Sequence, residues 1–193
     1  MYSRSEVFSQ VGLCAKWKIL NNNLIRGPKN LFLDRDGVVI VDHGYVNTLL
    51  KTNLVEETLK IMRIANQNTI PISIITNQAG VAHGLFSEGD LVEYNLDLLN
   101  LLKSEAEIEV NGLYYCPSHP EGKEETYRRS CNCRKPMTGL FKESITDSGA
   151  VFSRSMFIGD KESDDESAKR LGMRYLMYPN SNPLDAIVSW LKS

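Results

Sequence analysis

The chain has 193 residues, with 22 lysines and arginines against 24 aspartates and glutamates, and 42% of it is hydrophobic. That is enough for one domain with a real core and too little for two typical ones. The near-neutral charge argues against a nucleic-acid partner, and no apolar run approaches the ~18 residues that span a bilayer. A small polar substrate is the partner class left.

The first twenty residues lack the continuous apolar stretch of a secretory signal, so a cytoplasmic protein with reduced thiols is expected. Residues 1–29 show no clear strand and only a weak helical pattern at Val7, Val11 and Cys14. The Asn21–Asn23 run and Gly27-Pro28 break any helix there. We read 1–29 as an N-terminal extension and 30–193 as the domain.

From residue 30 strands and helices alternate. Leu31-Phe32-Leu33 is a short apolar run, as a buried parallel strand requires. Leu54, Thr58, Ile61, Met62 and Ala65 share a helical face. The β-branched run Ile70–Ile75 is a second strand. Ser87 and Asp90 form a capping box opening a helix with leucines at 91, 98, 101 and 102. Leu113–Tyr115 is a third strand, and a helix over 139–148 stops at Gly149. Met156–Ile158 is a fourth strand. Asp164 caps a helix ending at Gly172, Tyr175–Met177 is a fifth strand, and residues 184–192 close the chain as a helix. Such alternation implies an α/β fold: a Rossmann-like, doubly wound parallel sheet covered on both faces. Ligands then bind beyond the carboxyl ends of the strands.

Polar clusters stand at those ends: Asp34-Arg35-Asp36-Gly37, Thr76-Asn77-Gln78, Arg134-Lys135-Pro136 and Gly159-Asp160-Lys161, with Asp164 following. Phosphate-ester cleavage needs what they offer. A carboxylate can attack phosphorus and form an aspartyl phosphate. Carboxylates suit magnesium, which offsets the phosphate charge, and a nearby acid protonates the leaving alkoxide. Lys135 and Thr76 can hold the transferring oxygens. Taken singly, each cluster has a plainer reading. DxDG is a common turn, Thr76-Asn77 a loop with local hydrogen bonds, Lys135 a surface charge, and Asp164 a helix cap. A calcium loop is disfavoured, because its glycine is sixth and Gly37 is fourth. It is the four clusters in order that carry weight.

That order, LFLDRDGVV, ISIITNQ, CRKP and GDKESD, resembles the haloacid dehalogenase phosphatases over about residues 30–180. The resemblance makes Asp34 the nucleophile and Asp36 the acid/base. It places Mg2+ on the Asp34 side chain, the Asp36 backbone carbonyl and the Asp160 side chain, with Asp164 in support. Thr76 and Lys135 would steady the phosphoryl group. No inserted domain follows the first strand, so no large cap covers the site. Substrate recognition then falls to loops.

The segments DRDG, VDHGYV, TNQAGVAHG, YYCP and CNCRKP are together similar to the D-glycero-D-manno-heptose 1,7-bisphosphate phosphatases. Histidinol-phosphate phosphatases are close relatives of that branch. By this resemblance the partner is a small sugar phosphate, bound by Asp42, His43, Gly44 and Tyr45 together with Asn77, Gln78, Arg134 and Lys161. Arg134 has a guanidinium fork that can grip a second phosphate. His43 could equally be a loop histidine bonded to backbone.

Cys116, Cys131 and Cys133 flank a polar loop of the kind a structural zinc fastens, while Cys14 stands alone. The branch carries Cys-x-His then Cys-x-Cys. Here Ser118 takes the histidine position and His119 follows. His119 as fourth Zn2+ ligand, a water in its place, or an empty loop are all open. A bound zinc would fix the turn that presents Arg134 and Lys135. Two rivals carry less. A non-enzymatic zinc or phosphate module would need more than the small basic patch of Lys123, Arg128, Arg129, Arg134 and Lys135. A receiver domain places its aspartate after the third strand. A monomer is expected.

Overall fold

The computed structural model describes residues 2–4, 17–42, 54–179 and 182–193. Inside its sheet lies β3 (Leu31–Leu33), whose residues are all buried. A strand covered on both faces has no polar side, hence the unbroken apolar run. Flanking it in parallel are β4 (Ile72–Asn77) and β6 (Met156–Gly159), with Leu33 opposite Ile74 on one side and Ile158 on the other. The sheet continues to β5 (Gly112–Cys116) beyond β4, and to β7 (Arg174–Met177) beyond β6, again in parallel.

Sequence reading finds those five strands and misses two. β1 (Tyr2–Arg4) and β2 (Lys18–Asn21) extend the sheet antiparallel beyond β5, giving the order β1-β2-β5-β4-β3-β6-β7 over seven strands. The stretch 1–29 therefore holds two strands of the sheet. Edge strands are short and need no apolar run, so KILN carries little pattern. Packing supplies what the pattern lacks. Trp17 and Ile19 are fully buried, an Ile side chain contributing about 1.5–3 kcal/mol when buried. Lys18 donates to both carboxylate oxygens of Asp147 at 3.0 and 2.8 Å. Val7, Val11 and Cys14 lie outside the described residues.

Helices follow their local signals. α1 (Glu56–Gln67) buries Thr58, Leu59, Ile61, Met62 and Ala65; Leu54, placed on this face by periodicity, stands before the helix and bridges Ile40. A short α2 (Ala79–Ala82), unread in the sequence, follows β4. α3 (Glu88–Ala106) opens with the Ser87–Asp90 capping box. α4 (Gly139–Ser148) stops at Gly149 with φ 72°, and α5 (Glu162–Leu171) at Gly172 with φ 61°, a left-handed conformation glycine adopts without penalty. α6 (Pro183–Lys192) packs against α1. Among the described residues no helix is long and apolar enough to cross a membrane.

Chain order places the site. From β3 the chain runs outward through β4 to β5, then returns to β6 on the other side of β3. The strand order reverses at the β3–β6 boundary, opening a crevice at the carboxyl ends.

Candidate active site

Strand register brings the carboxylates together. Leu33 pairs with Ile158, and the next residue, Asp34, donates its backbone N–H to the Ile158 carbonyl at 2.9 Å. Asp34 thus leaves β3 beside the point where Asp160 leaves β6. One turn into α5, Asp164 returns to the same place. Its Oδ2 accepts the backbone N–H groups of Asp160 and Lys161, both at 3.2 Å. Ligand oxygens of Asp34, Asp160 and Asp164 lie within 4.8 Å of one another, the one such gathering of three or more acids, histidines or cysteines among the described residues.

Two glycines make the approach possible. Gly37 has φ 81°, and a Cβ there would overlap the Asp160 carboxylate. A Cβ on Gly159 would lie 2.5 Å from Asp164. Both DxDG and GDxxxD need glycine for steric reasons, beyond any turn preference.

Lys135 completes the cluster. It is buried, with Nζ at 2.9 Å from Asp34 Oδ1 and 2.8 Å from Asp164 Oδ1, and it donates to the Ile75 carbonyl at 3.0 Å. Asn77 fixes its backbone, accepting the Lys135 N–H at 2.9 Å and donating to its carbonyl at 3.1 Å. Asn77, expected among the substrate-contacting residues, is thus the clamp that seats the lysine. Gln78 is likewise turned inward, its Nε2 donating to Asp36 Oδ2 at 2.7 Å and to Thr76 Oγ1 at 2.8 Å.

Charge follows from burial. Asp34 is pushed up to about 7, first by desolvation and then by Asp164 and Asp36, against the pull of Lys135. Asp160 is also raised, chiefly by burial. For Lys135, burial acts downward, but the Asp34 and Asp164 charges outweigh it and hold the lysine above its ordinary value. Three carboxylates face one ammonium, a surplus that a divalent cation would neutralise. Asp160 Oδ1 is buried with no hydrogen-bond partner. A hard, oxygen-seeking ion such as magnesium fits this donor set.

Two residues unread in the sequence also belong here. Arg35 is buried, and its guanidinium contacts Asp36 through Nε at 3.0 Å from Oδ1 and Nη2 at 3.1 Å from Oδ2. Its Nη1 donates to Asn95 Oδ1 at 2.8 Å. Asn95 carried a signal, since it interrupts the apolar face between Leu91 and Leu98 of α3 and is fully buried.

Around the mouth, Arg134 is half-buried with an unpartnered Nη1, and Lys161 Nζ stands 3.8 Å from Asp42 Oδ2. His43, Gly44 and Tyr45 lie outside the described residues. The cysteine loop does not form the expected centre. Cys116 and Cys131 sulfurs approach to 3.4 Å. The His119 ring instead sits 5.0 Å from that of His83 and accepts the Glu121 N–H on Nδ1 at 3.2 Å. Among the described residues, the cysteines and His119 do not bring three ligand atoms together as the aspartates do, so the loop as it stands gives no support to a zinc centre.

Comparison with known proteins agrees with the geometry. A family model described as HAD-hyrolase-like matches residues 132–182. A D-glycero-beta-D-manno-heptose-1,7-bisphosphate 7-phosphatase from Haemophilus ducreyi is 34% identical over 77% of this chain and 81% of its own length. The Photorhabdus laumondii protein of the same name is 30% identical over 80% and 82%. A D,D-heptose 1.7-bisphosphate phosphatase from B. bronchiseptica, solved with magnesium and phosphate, superimposes with a TM-score of 0.66 at 25% identity, covering 77% of this chain and 79% of that one. The chain belongs to the haloacid dehalogenase-like phosphatases. It is an enzyme, a phosphoric monoester hydrolase of that family.

Proposed function

We propose that this enzyme removes the 7-phosphate from D-glycero-D-manno-heptose 1,7-bisphosphate. The observation that carries the chemistry is Lys135, held between Asp34 and Asp164 at the carboxyl ends of the strands. The names of the relatives support the substrate.

Asp34 attacks phosphorus and takes up the phosphoryl group, while the ester oxygen leaves with a proton from Asp36. Water then attacks the aspartyl phosphate, Asp36 recovers a proton from it, and Asp34 leaves as carboxylate. Lys135 and the Thr76 hydroxyl meet the charge that spreads over the phosphoryl oxygens. Asp34, Asp160 and the Asp36 carbonyl would hold magnesium, with Asp164 steadying the loop. When bound, the ion supplies charge neutralisation for nucleophile and phosphate. Asp42, His43, Gly44, Tyr45, Arg134 and Lys161 form the substrate-facing rim of the proposal. Residues 30–193 carry the catalytic machinery, and the enzyme works in the cytoplasm as a monomer.

The test is magnesium-dependent phosphate release from both anomers of the heptose bisphosphate and from histidinol phosphate, with Asp34→Asn as control. Turnover of a heptose anomer that the variant lacks is the expected result. Turnover of histidinol phosphate alone would keep the chemistry and replace the substrate.

A further inference from the structure

We infer that Arg35 is a positioning residue for Asp36, fixing the orientation from which the acid/base carboxyl works. The inference rests on the assignment of Asp36 as acid/base.

Asp36 sits at the lip of the crevice, just before the left-handed Gly37. A short side chain on such a turn can rotate, and proton transfer fails when the donor is misaimed. Arg35 supplies the missing restraint. Its Nε and Nη2 engage both oxygens of Asp36, Nη2 also standing 2.9 Å from Oδ1. The third nitrogen is tied to Asn95, and the guanidinium lies 5.1 Å from the Tyr94 ring centre. Both anchors belong to α3, an element separate from the Asp36 turn. The fork is therefore held from α3, and it holds Asp36 in turn. Gln78 meets Asp36 Oδ2 at 2.7 Å and limits rotation further.

A pair between sequence neighbours closes no loop and joins no distant segments. Its effect on the fold through Asp36 is small, while its effect on where the Asp36 carboxyl points is direct. A planar, five-donor guanidinium suits that task, whereas an ammonium restores charge without the fork.

Asp36 acts in both steps, and kcat/KM reads the first, up to formation of the aspartyl phosphate. Asp34 forms a bond to phosphorus, the bond from phosphorus to the ester oxygen breaks, and that oxygen takes the Asp36 proton with its electron pair. An alkyl leaving group needs the proton; nitrophenolate leaves without it. The experiment compares wild type, Arg35→Met, Arg35→Lys and Asp36→Asn on two esters. One is the sugar or histidinol phosphate found to be turned over, and the other is p-nitrophenyl phosphate. Arg35→Met should lose about 10²-fold in kcat/KM on the alkyl ester, and far less in kcat/KM on the nitrophenyl ester. Arg35→Lys should fall between, and it decides the matter if the methionine variant does not fold. Equal losses on both esters, or no loss, would overturn the inference. If Asp36→Asn discriminates between the esters and the Arg35 variants do not, Asp36 keeps its role and Arg35 loses its own. If Asp36→Asn does not discriminate, the acid assignment falls and the inference with it.

Discussion

Two regions of this molecule look alike in sequence and differ in structure: the aspartate cluster at the strand ends and the cysteine loop. Each presents ligand-type residues at short spacing. The aspartates converge because backbone pairing compels them. Once Leu33 faces Ile158, Asp34 and Asp160 leave adjacent strands side by side. Cys116 also ends a strand, but His119, Cys131 and Cys133 hang on the loop that follows, where a one-residue shift redirects a side chain. The His119 ring lies against His83. Spacing predicts a metal centre where the sheet fixes the register, and predicts poorly where a loop must.

The sharpest way to break the contrast is Lys135→Met. It leaves buried carboxylates without their ammonium, which should cost about 3–5 kcal/mol of stability and 10²- to 10³-fold in turnover. Chemical denaturation and phosphate-release assays check this, and added magnesium should restore part of the stability. A mild loss would mean that the cluster is less dry than its burial indicates. Gly37→Ala comes next. It forces a left-handed residue to carry a Cβ into Asp160. Magnesium titration of activity should need about a 10- to 100-fold higher ion concentration to reach half-maximal rate, a poorer apparent affinity.

A smaller effect follows from protonation. Asp34 at about 7 and Asp160, also raised, retain protons in the metal-free folded state that the unfolded chain has already released. Metal-free stability should therefore fall as pH rises from the ordinary carboxylate range through about 7. Magnesium should raise the melting temperature more above that window than below it, as thermal scans at several pH values can check. The smallest effect belongs to the other region. A zinc-selective chelator, with magnesium in excess, should leave activity unchanged, and the purified protein should carry substoichiometric zinc by elemental analysis. Stoichiometric zinc with loss of activity on chelation would remove the contrast altogether.

Much of this was legible before any coordinates. The β3 and β4 runs, the Ser87–Asp90 capping box and the glycines at 149 and 172 carry local signals that tertiary packing did not override. So did the order of the four polar clusters. What escaped has physical reasons. KILN forms an edge strand held by Lys18 and by the burial of Trp17 and Ile19, none of which makes a periodic pattern. Arg35 went unread between two aspartates, because its partners on α3 lie far along the chain. The bonds from Asn77 to the Lys135 backbone also escaped, because they span the distance from β4 to the loop before α4.

The claim that everything else depends on is that Asp34 is the nucleophile. The most direct measurement is the kcat of purified, folded Asp34→Asn for magnesium-dependent phosphate release, against wild type on the same ester. The account predicts a loss of roughly 10⁴-fold or more, because an amide cannot form the acyl phosphate. Turnover within about tenfold of wild type would contradict it, and would move the chemistry to water attacking phosphorus directly.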